Sequence, residues 1–257
     1  MITKKTTQEI EILAEGGRVL ARILRELVEY VHPGCTTEDL DDRAMELCEQ
    51  YNAEPVLLGY HPEFAPVPYS AAICTSVNNV VQHGIPSPEE TLRESDIINI
   101  DMSIGYRGLI VDSGMTVGVG KIDRTSTELI DITRTALMKG ITEARAGNHI
   151  GDISYAIQQT VEASGMSVVR ALCGHGVGYA VHEQPHIPNF GAKGTGPVIE
   201  VGHVYAIEPI VNVGSAEVVF DDEGDGYTVR TKDGSRSAHF EHTVAVTREG
   251  PKILTEE

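Results

Sequence analysis

Residues 96–120, DIINIDMSIGYRGLIVDSGMTVGVG, constrain the fold more than any other stretch of this 257-residue chain. Ile98, Ile100, Met102 and Ile104 alternate with Ile97, Asn99, Asp101 and Ser103, the two-residue period of a strand, with Asp101 on the more polar face. Gly105–Gly108 is turn material, after which Leu109, Val111 and Ser113 alternate with Ile110, Asp112 and Gly114. A hairpin symmetric about Tyr106 and Arg107 sets Asp101 directly opposite Asp112, with Cβ atoms ~4.5–5.5 Å apart. Two carboxylates so placed repel, and neither has a basic residue nearby on its own face. A cation between them removes the repulsion. A shared proton, with one pKa raised, is the alternative, and two solvated aspartates on an exposed hairpin is a third. The flanking isoleucines and valines favour a buried strand and weigh against the third.

Two further acids follow the same logic. Glu208 lies beside Pro209 in HVYAIEPIVNV (203–213), and Glu241 lies in SAHFEHTVAVT (237–247), both strand-like and largely apolar. A carboxylate inside a buried strand costs several kcal/mol unless it is paired or ligates a metal. For each acid alone, a core ion pair and a metal site fit equally well. Four such acids with few Lys or Arg beside them tip the balance toward metal. His175, between Gly174 and Gly176 at the end of an apolar strand 167–173, is the best nitrogen donor, since glycines on both sides allow close approach. His182 and His83, each taken alone, read more readily as hydrogen-bonded core residues than as catalysts, and most of the remaining histidines, a group that includes His239, are read as structural. The letters His182-Glu183-Gln184-Pro185-His186 match H-E-x-x-H, but that zinc motif needs a helix, and Pro185 inside one costs ~3 kcal/mol.

The remaining pattern gives the fold class. Thr6 and Glu9 form a capping box before a helical stretch that Pro33-Gly34 ends, and a second helix opens at Thr37. Strand-like sequence fills 70–119. The order then repeats, with a helix through Leu129, Leu137 and Ala144, another from Asp152 to Gly165, and strands over 167–173, 203–213, 227–232 and 239–247, Asp233-Gly234 marking a hairpin turn. Two helices and then strands, twice, imply an α+β fold with two pseudo-symmetric halves, about 1–123 and 124–257, sharing one core in a single domain with helices covering one face of antiparallel sheet. The net charge of −18 argues against a phosphate-tracking nucleic-acid binder. No apolar run approaches the ~20 residues of a membrane span. The N-terminus turns polar too soon for a signal peptide. Cys35, Cys48, Cys74 and Cys173 lack metal or disulfide spacing and read as free thiols in a reducing cytoplasm.

NNVVQHGIP, DIINIDM with a second acid eleven residues after Asp101, CGHGVG followed by VHEQP, YAIEPIVN and SAHFEHTVAVT together span nearly the whole chain. In that order they resemble the type I methionine aminopeptidases of the pita-bread (creatinase/aminopeptidase) metallopeptidase family. The resemblance implies two divalent ions of Co, Mn, Fe or Zn, with Asp112 and Glu241 bridging them, Asp101 completing one site and His175 with Glu208 the other. It implies Glu208 as the acceptor of the water's proton, and His83 and His182 as groups contacting the substrate amide. It also implies a monovalent cation near Asn78, Val80 and Ser237 in some members. Tyr60, His61, Cys74 and Tyr227 are candidates for the methionine pocket, each with a packing alternative.

The implied reaction removes the N-terminal methionine of nascent proteins whose second residue is small. The expected enzyme is a cytoplasmic monomer, transiently at the ribosome, with no direct nucleic-acid or membrane partner. Three departures bear on the pocket: Val181 stands where bacterial members usually carry an aromatic residue, Tyr227 where a Trp is common, and the segment between His61 and Cys74 is longer than in compact members. The chain has no room for the extra N-terminal domain usual in Xaa-Pro aminopeptidases, and the short interval between His182 and Glu208 fits type I rather than type II. A non-catalytic module on the same scaffold would lack one or more of the five ligands, and all five are present.

Overall fold

The first three helices start at side chains that accept one of their first free N–H groups. The computed structural model describes residues 2–63, 65–221 and 224–257. In it Thr6 accepts from the Glu9 N–H and the Glu9 carboxylate from the Thr6 N–H, and α1 runs Thr7–Tyr30. Thr36 and Asp39 repeat this before α2 (Thr37–Tyr51). Asp123 accepts from Ser126 N–H ahead of α3 (Arg124–Glu143), and Asp152 reaches back to the His149 N–H at the start of α4 (Ile150–Glu162).

Between the helix pairs lie β1 (Glu54–Pro55), β2 (Cys74–Val77), β3 (Val80–Gln82), β4 (Ile97–Tyr106) and β5 (Leu109–Gly118). After α4 come β6 (Ser167–Val168), β7 (Cys173–Gly176), β8 (Glu183–Pro188), β9 (Val204–Ile207) and β10 (Ile210–Asn212). The chain ends through β11 (Val218–Phe220), β12 (Val229–Thr231), β13 (Ser237–His239), β14 (Glu241–Thr247) and β15 (Gly250–Ile253). The main sheet has the order β1-β4-β5-β14-β9-β7-β8, with β2 on β4 and β15 on β14, and every pairing in it is antiparallel. Within this sheet the strands before and after residue 123 meet at the β5–β14 seam, where Glu241 pairs with Gly114 and Thr243 Oγ1 both accepts from the Asp112 N–H and donates to its carbonyl; β3 and β12 pair across the same divide in a smaller sheet.

Leu20, Ile23, Leu24 and Leu27 of α1 pack with Ile98, Ile100, Met102 and Ile104, the even-numbered side of β4. Leu129, Leu137, Ile153 and Ile157 of α3 and α4 pack with Tyr205, Ile207, Val244 and Val246. The α+β reading holds, as does the expectation of helices against sheet in each half. With the even-numbered positions of β4 committed to the helices, Asp101 and Ser103 face the other way, into a cavity.

Five expectations need correction. The hairpin turns on Arg107-Gly108, both at positive φ (50° and 85°), because the two-residue turn that matches strand twist needs such values and Gly108 adopts them without strain. Asp101 therefore pairs with Gly114, and Asp112 with Ser103. That shift of two residues leaves both acids on their original face. The strand expected over 203–213 breaks at Glu208-Pro209, where proline has no N–H to give a ladder, and the one over 239–247 breaks at Phe240. The strand expected over 167–173 is only Ser167–Val168, so His175 lies inside β7 rather than after a strand. Asp233-Gly234 closes no hairpin, since β12 and β13 join different sheets; Asp233 instead accepts from the Ser215 and Ser235 N–H groups.

Gly17 marks where α1 meets the end of the chain: a Cβ there would stand 2.1 Å from the Leu254 carbonyl oxygen. Gly17→Ala is expected to lower the unfolding free energy by ~1–3 kcal/mol, the usual cost of overpacking. Urea unfolding checks this, and an unchanged midpoint would contradict the close approach.

Candidate metal centre

Three strands bring the acids together. Gly114 on β5 pairs with Asp101 on β4 and with Glu241 on β14, so a residue without a side chain lies between two carboxyls. A Cβ at Gly114 would sit 3.2 Å from the Asp101 Cβ, a tight contact that glycine avoids. Asp112 lies two residues away on the same strand. Glu208 leaves β9 beside Gly174, where a Cβ would stand 2.5 Å from the Ala206 carbonyl oxygen. Asp101, Asp112, His175, Glu208 and Glu241 are all buried, and all line one cavity of about 540 Å³.

The nitrogen donor is oriented by its backbone. His175 Nδ1 lies 3.0 Å from the Gly176 carbonyl, an acceptor only, so the ring proton sits on Nδ1 and the Nε2 lone pair points at the acids. Nε2 is 3.4 Å from Glu208 Oε1 and 3.9 Å from Asp112 Oδ2. An acceptor thus faces acceptors, an arrangement that needs a cation or a proton at its centre. Donor atoms of Asp112, His175 and Glu241 all lie within 4.8 Å of one another. Among the described residues Asp112 Oδ1, Glu241 Oε1 and His239 Nε2 are buried and find no hydrogen-bond partner.

Burial, and then the acids' own mutual charge, pushes the carboxyls of Asp101, Glu208 and Glu241 well above the usual carboxylate range. Asp112 is raised by burial too, against the pull of the His182 charge and a Ser103 hydrogen bond. Burial lowers His175 to about 4 and His239 to about 3, so both imidazoles are neutral at pH 7 and offset no carboxylate. Among the described residues no lysine or arginine lines the cavity. Four oxygen donors and one imidazole, unneutralised and with orphaned acceptor atoms, fit divalent ions of the Mn, Fe, Co or Zn kind.

The other sequence candidates fall at different depths. His182 lies at the mouth with Nδ1 2.9 Å from the Tyr60 hydroxyl and its ring centroid 4.4 Å from that of His175. His83, at φ 59°, also lines the cavity, and burial, then the charge of His182, lowers it to about 4. Cys74, Tyr60, Tyr69, Tyr227 and Leu57 form the apolar end, where Tyr227 meets Tyr69 edge-on at 5.0 Å and donates to the Val67 carbonyl. Val181 lines the same cavity. His61 does not: its Nε2 bonds the Ala65 carbonyl, and the ring is off the wall. Phe64, within the lengthened segment, lies outside the described residues. His182–His186 is loop and strand, not helix, as the proline required.

Two residues escaped the sequence reading. Gln82 Nε2 donates to Glu208 Oε2 at 2.9 Å, and His239 Nε2 lies 3.7 Å from Glu208 Oε2 and 3.8 Å from Glu241 Oε2. His239 shares the odd-numbered positions of its segment with Glu241, a signal that was present in the alternation. Gln82 carried none.

The cluster links stability to pH. A carboxyl whose folded pKa is raised above its unfolded value stabilises below the unfolded value and loses that contribution as pH rises through the folded one. The lowered histidines act oppositely, but only below their unfolded value of 6.5. Above pH 6.5 the carboxyls act alone. Chelator-stripped protein is therefore expected to lose melting temperature as pH rises from 6.5, and metal-loaded protein to be flat or to gain. Scanning calorimetry of both forms checks this; parallel curves would contradict it.

The model of metallopeptidase family M24 matches residues 11–248. A methionine aminopeptidase of Clostridium perfringens is 45% identical over 255 residues, covering 99% of each chain. Methionine aminopeptidase B of Synechocystis is 43% identical over 97% of this chain and 90% of its own. The crystal structure of a methionine aminopeptidase from Thermotoga maritima superposes with a TM-score of 0.95 at 41% identity, covering both chains fully. A prolidase from Pyrococcus furiosus shares the fold, with a TM-score of 0.76 at 20% identity over 99% of this chain and 65% of its own.

Proposed function

The chain belongs to metallopeptidase family M24, and on that premise we propose that it is a metalloaminopeptidase that removes the N-terminal methionine of nascent proteins whose second residue is small. One observation carries the reading: His175 Nε2 and the carboxyls of Asp112, Glu208 and Glu241 converge, acceptor on acceptor, beside a cavity with an apolar end. Asp101, Asp112, His175, Glu208 and Glu241 would hold the divalent ions. Bound there, such ions supply a water that ionises near neutral pH and a Lewis acid for the amide carbonyl.

The chain's own residues do the rest. Gln82 fixes one oxygen of Glu208, leaving Oε1 on the His175 side to take the proton of the attacking water. His182 and His83, neutral at pH 7 because burial lowers both to about 4, offer hydrogen bonds to the scissile amide as its oxygen gains charge. Leu57, Tyr60, Cys74 and Tyr227 take the methionine side chain, and Tyr69 backs them. The carboxylates near Asp101 attract the free α-amine, which makes the enzyme an exopeptidase.

Asn78 at φ 52°, with its carbonyl accepting from the Ser237 N–H at 2.9 Å, supports a monovalent-cation site that also uses the Val80 and Ser237 carbonyls. Both halves, 1–123 and 124–257, supply ligands, which supports a single catalytic domain. Among the described residues no helix is long and apolar enough to cross a membrane. We place the enzyme in the cytoplasm as a monomer that meets N-terminal peptides at or near the ribosome.

A Met-Ala-Ser peptide is expected to release methionine, and a chelator to abolish release until a divalent metal is restored. Cleavage of X-Pro peptides in preference would overturn the assignment. His182→Ala is expected to lower kcat by about a hundredfold or more with metal content unchanged; full activity would remove its assigned role.

A further inference from the structure

Glu183, next to His182, belongs to the H-E-x-x-H letters that the metal centre leaves unused. Its carboxylate holds the loop that joins β7 to β8. Oε1 accepts from the Tyr179 and Ala180 N–H groups, and Oε2 accepts from Lys5 Nζ at 2.7 Å and from the Thr3 hydroxyl. Lys5 comes from the other end of the chain, immediately before the Thr6 cap of α1. Its side chain is 1% exposed, a state a lysine adopts only when paired.

The packing around the pair is equally close. Lys5 Nζ stands 4.6 Å from the centre of the Tyr179 ring, whose hydroxyl donates to Glu9 at 2.9 Å. The Lys5 alkyl chain lies against Gly178, at φ 136°, where a Cβ would be 2.5 Å from Lys5 Cε. The Lys5 N–H donates to the Gly202 carbonyl at 2.7 Å, fixing the N-terminal segment itself. Residues 178–183 are thus clamped by residues 3–9; of them Val181, His182 and Glu183 line the cavity, and His182 is the one that meets Tyr60 and His175. Lys5 is not on the cavity wall.

We propose that Lys5 is a positioning residue for peptide hydrolysis: its buried ion pair with Glu183 sets the loop so that the His182 imidazole meets the scissile amide. This rests on the role given to His182 above. An ion pair suits the task because each charge, once buried, is costly without the other, so the loop has one favoured seat. The N-terminal segment then belongs to the catalytic apparatus although it touches no substrate.

A kinetic cycle tests this in the metal-loaded full chain with the Met-Ala-Ser peptide, using Lys5→Met, His182→Ala and the double variant. Lys5→Met is expected to lower kcat by about tenfold to a hundredfold, the cost of a misplaced group, with KM and metal content held. In the His182→Ala background the same change is expected to lower kcat by less than about twofold, because the group being positioned is gone. An equal loss in both backgrounds overturns the proposal, since it would mark general loosening of the site. An unchanged kcat for Lys5→Met beside a crippled His182→Ala overturns the Lys5 role alone. A fully active His182→Ala removes the reading of His182, and this proposal with it. Glu183→Gln, which keeps the side chain's shape and acceptor oxygen but not its charge, is expected to reproduce the same non-additivity and serves if Lys5→Met fails to fold.

Discussion

Four carboxyl groups and the lone pair of a neutral imidazole share one buried volume with, among the described residues, no cationic side chain lining it, and the rest of the molecule is arranged around that imbalance. Such a cluster cannot stay ionised and dry; it takes up protons or it takes up metal. Burial drives Asp101, Glu208 and Glu241 toward the protonated form, which makes the metal-free centre a reservoir of unfavourable energy at neutral pH. Divalent ions would relieve it, and ions held by Asp112 on β5 and Glu241 on β14 would tie those two neighbouring strands together.

The helices make this tolerable. By taking the even-numbered face of β4 they supply the apolar burial that stabilises the domain, and they leave the opposite face free for polar groups that contribute little to folding. Glycines then decide where the acids fit. Gly114 lies between Asp101 and Glu241, and Gly174 lets the Ala206 carbonyl, two residues before Glu208, come close. The apolar end of the cavity, with Tyr227 and Tyr69 packed edge to face, separates side-chain recognition from the ionic centre.

Much of this was legible in the chain. The two-residue alternation around Asp101 and Asp112 placed both acids on one face, and that conclusion survived an error in register because a shift of two residues preserves the face. The error arose from the turn, where a positive φ at Arg107 and Gly108 outweighed the apparent symmetry about Tyr106. Alternation also suggested unbroken strands through Glu208 and Glu241. The chain instead breaks at Pro209 and Phe240, so each acid stands at a strand end rather than within one. Gln82 and His239 were not found because an amide or imidazole beside an acid takes its meaning from tertiary contact. His61 failed for the converse reason: a nearby carbonyl claimed its ring.

The central claim is that the acid cluster exists to hold ions, and anomalous diffraction tests it most directly. Crystals grown with manganese or cobalt, with data collected on both sides of the metal's absorption edge, are predicted to show two peaks, both within coordinating distance of Asp112 and Glu241. One is predicted to complete its shell with Asp101 and the other with His175 and Glu208. A cavity without anomalous density at saturating metal, its carboxyls paired through short proton-shared contacts, would contradict the account.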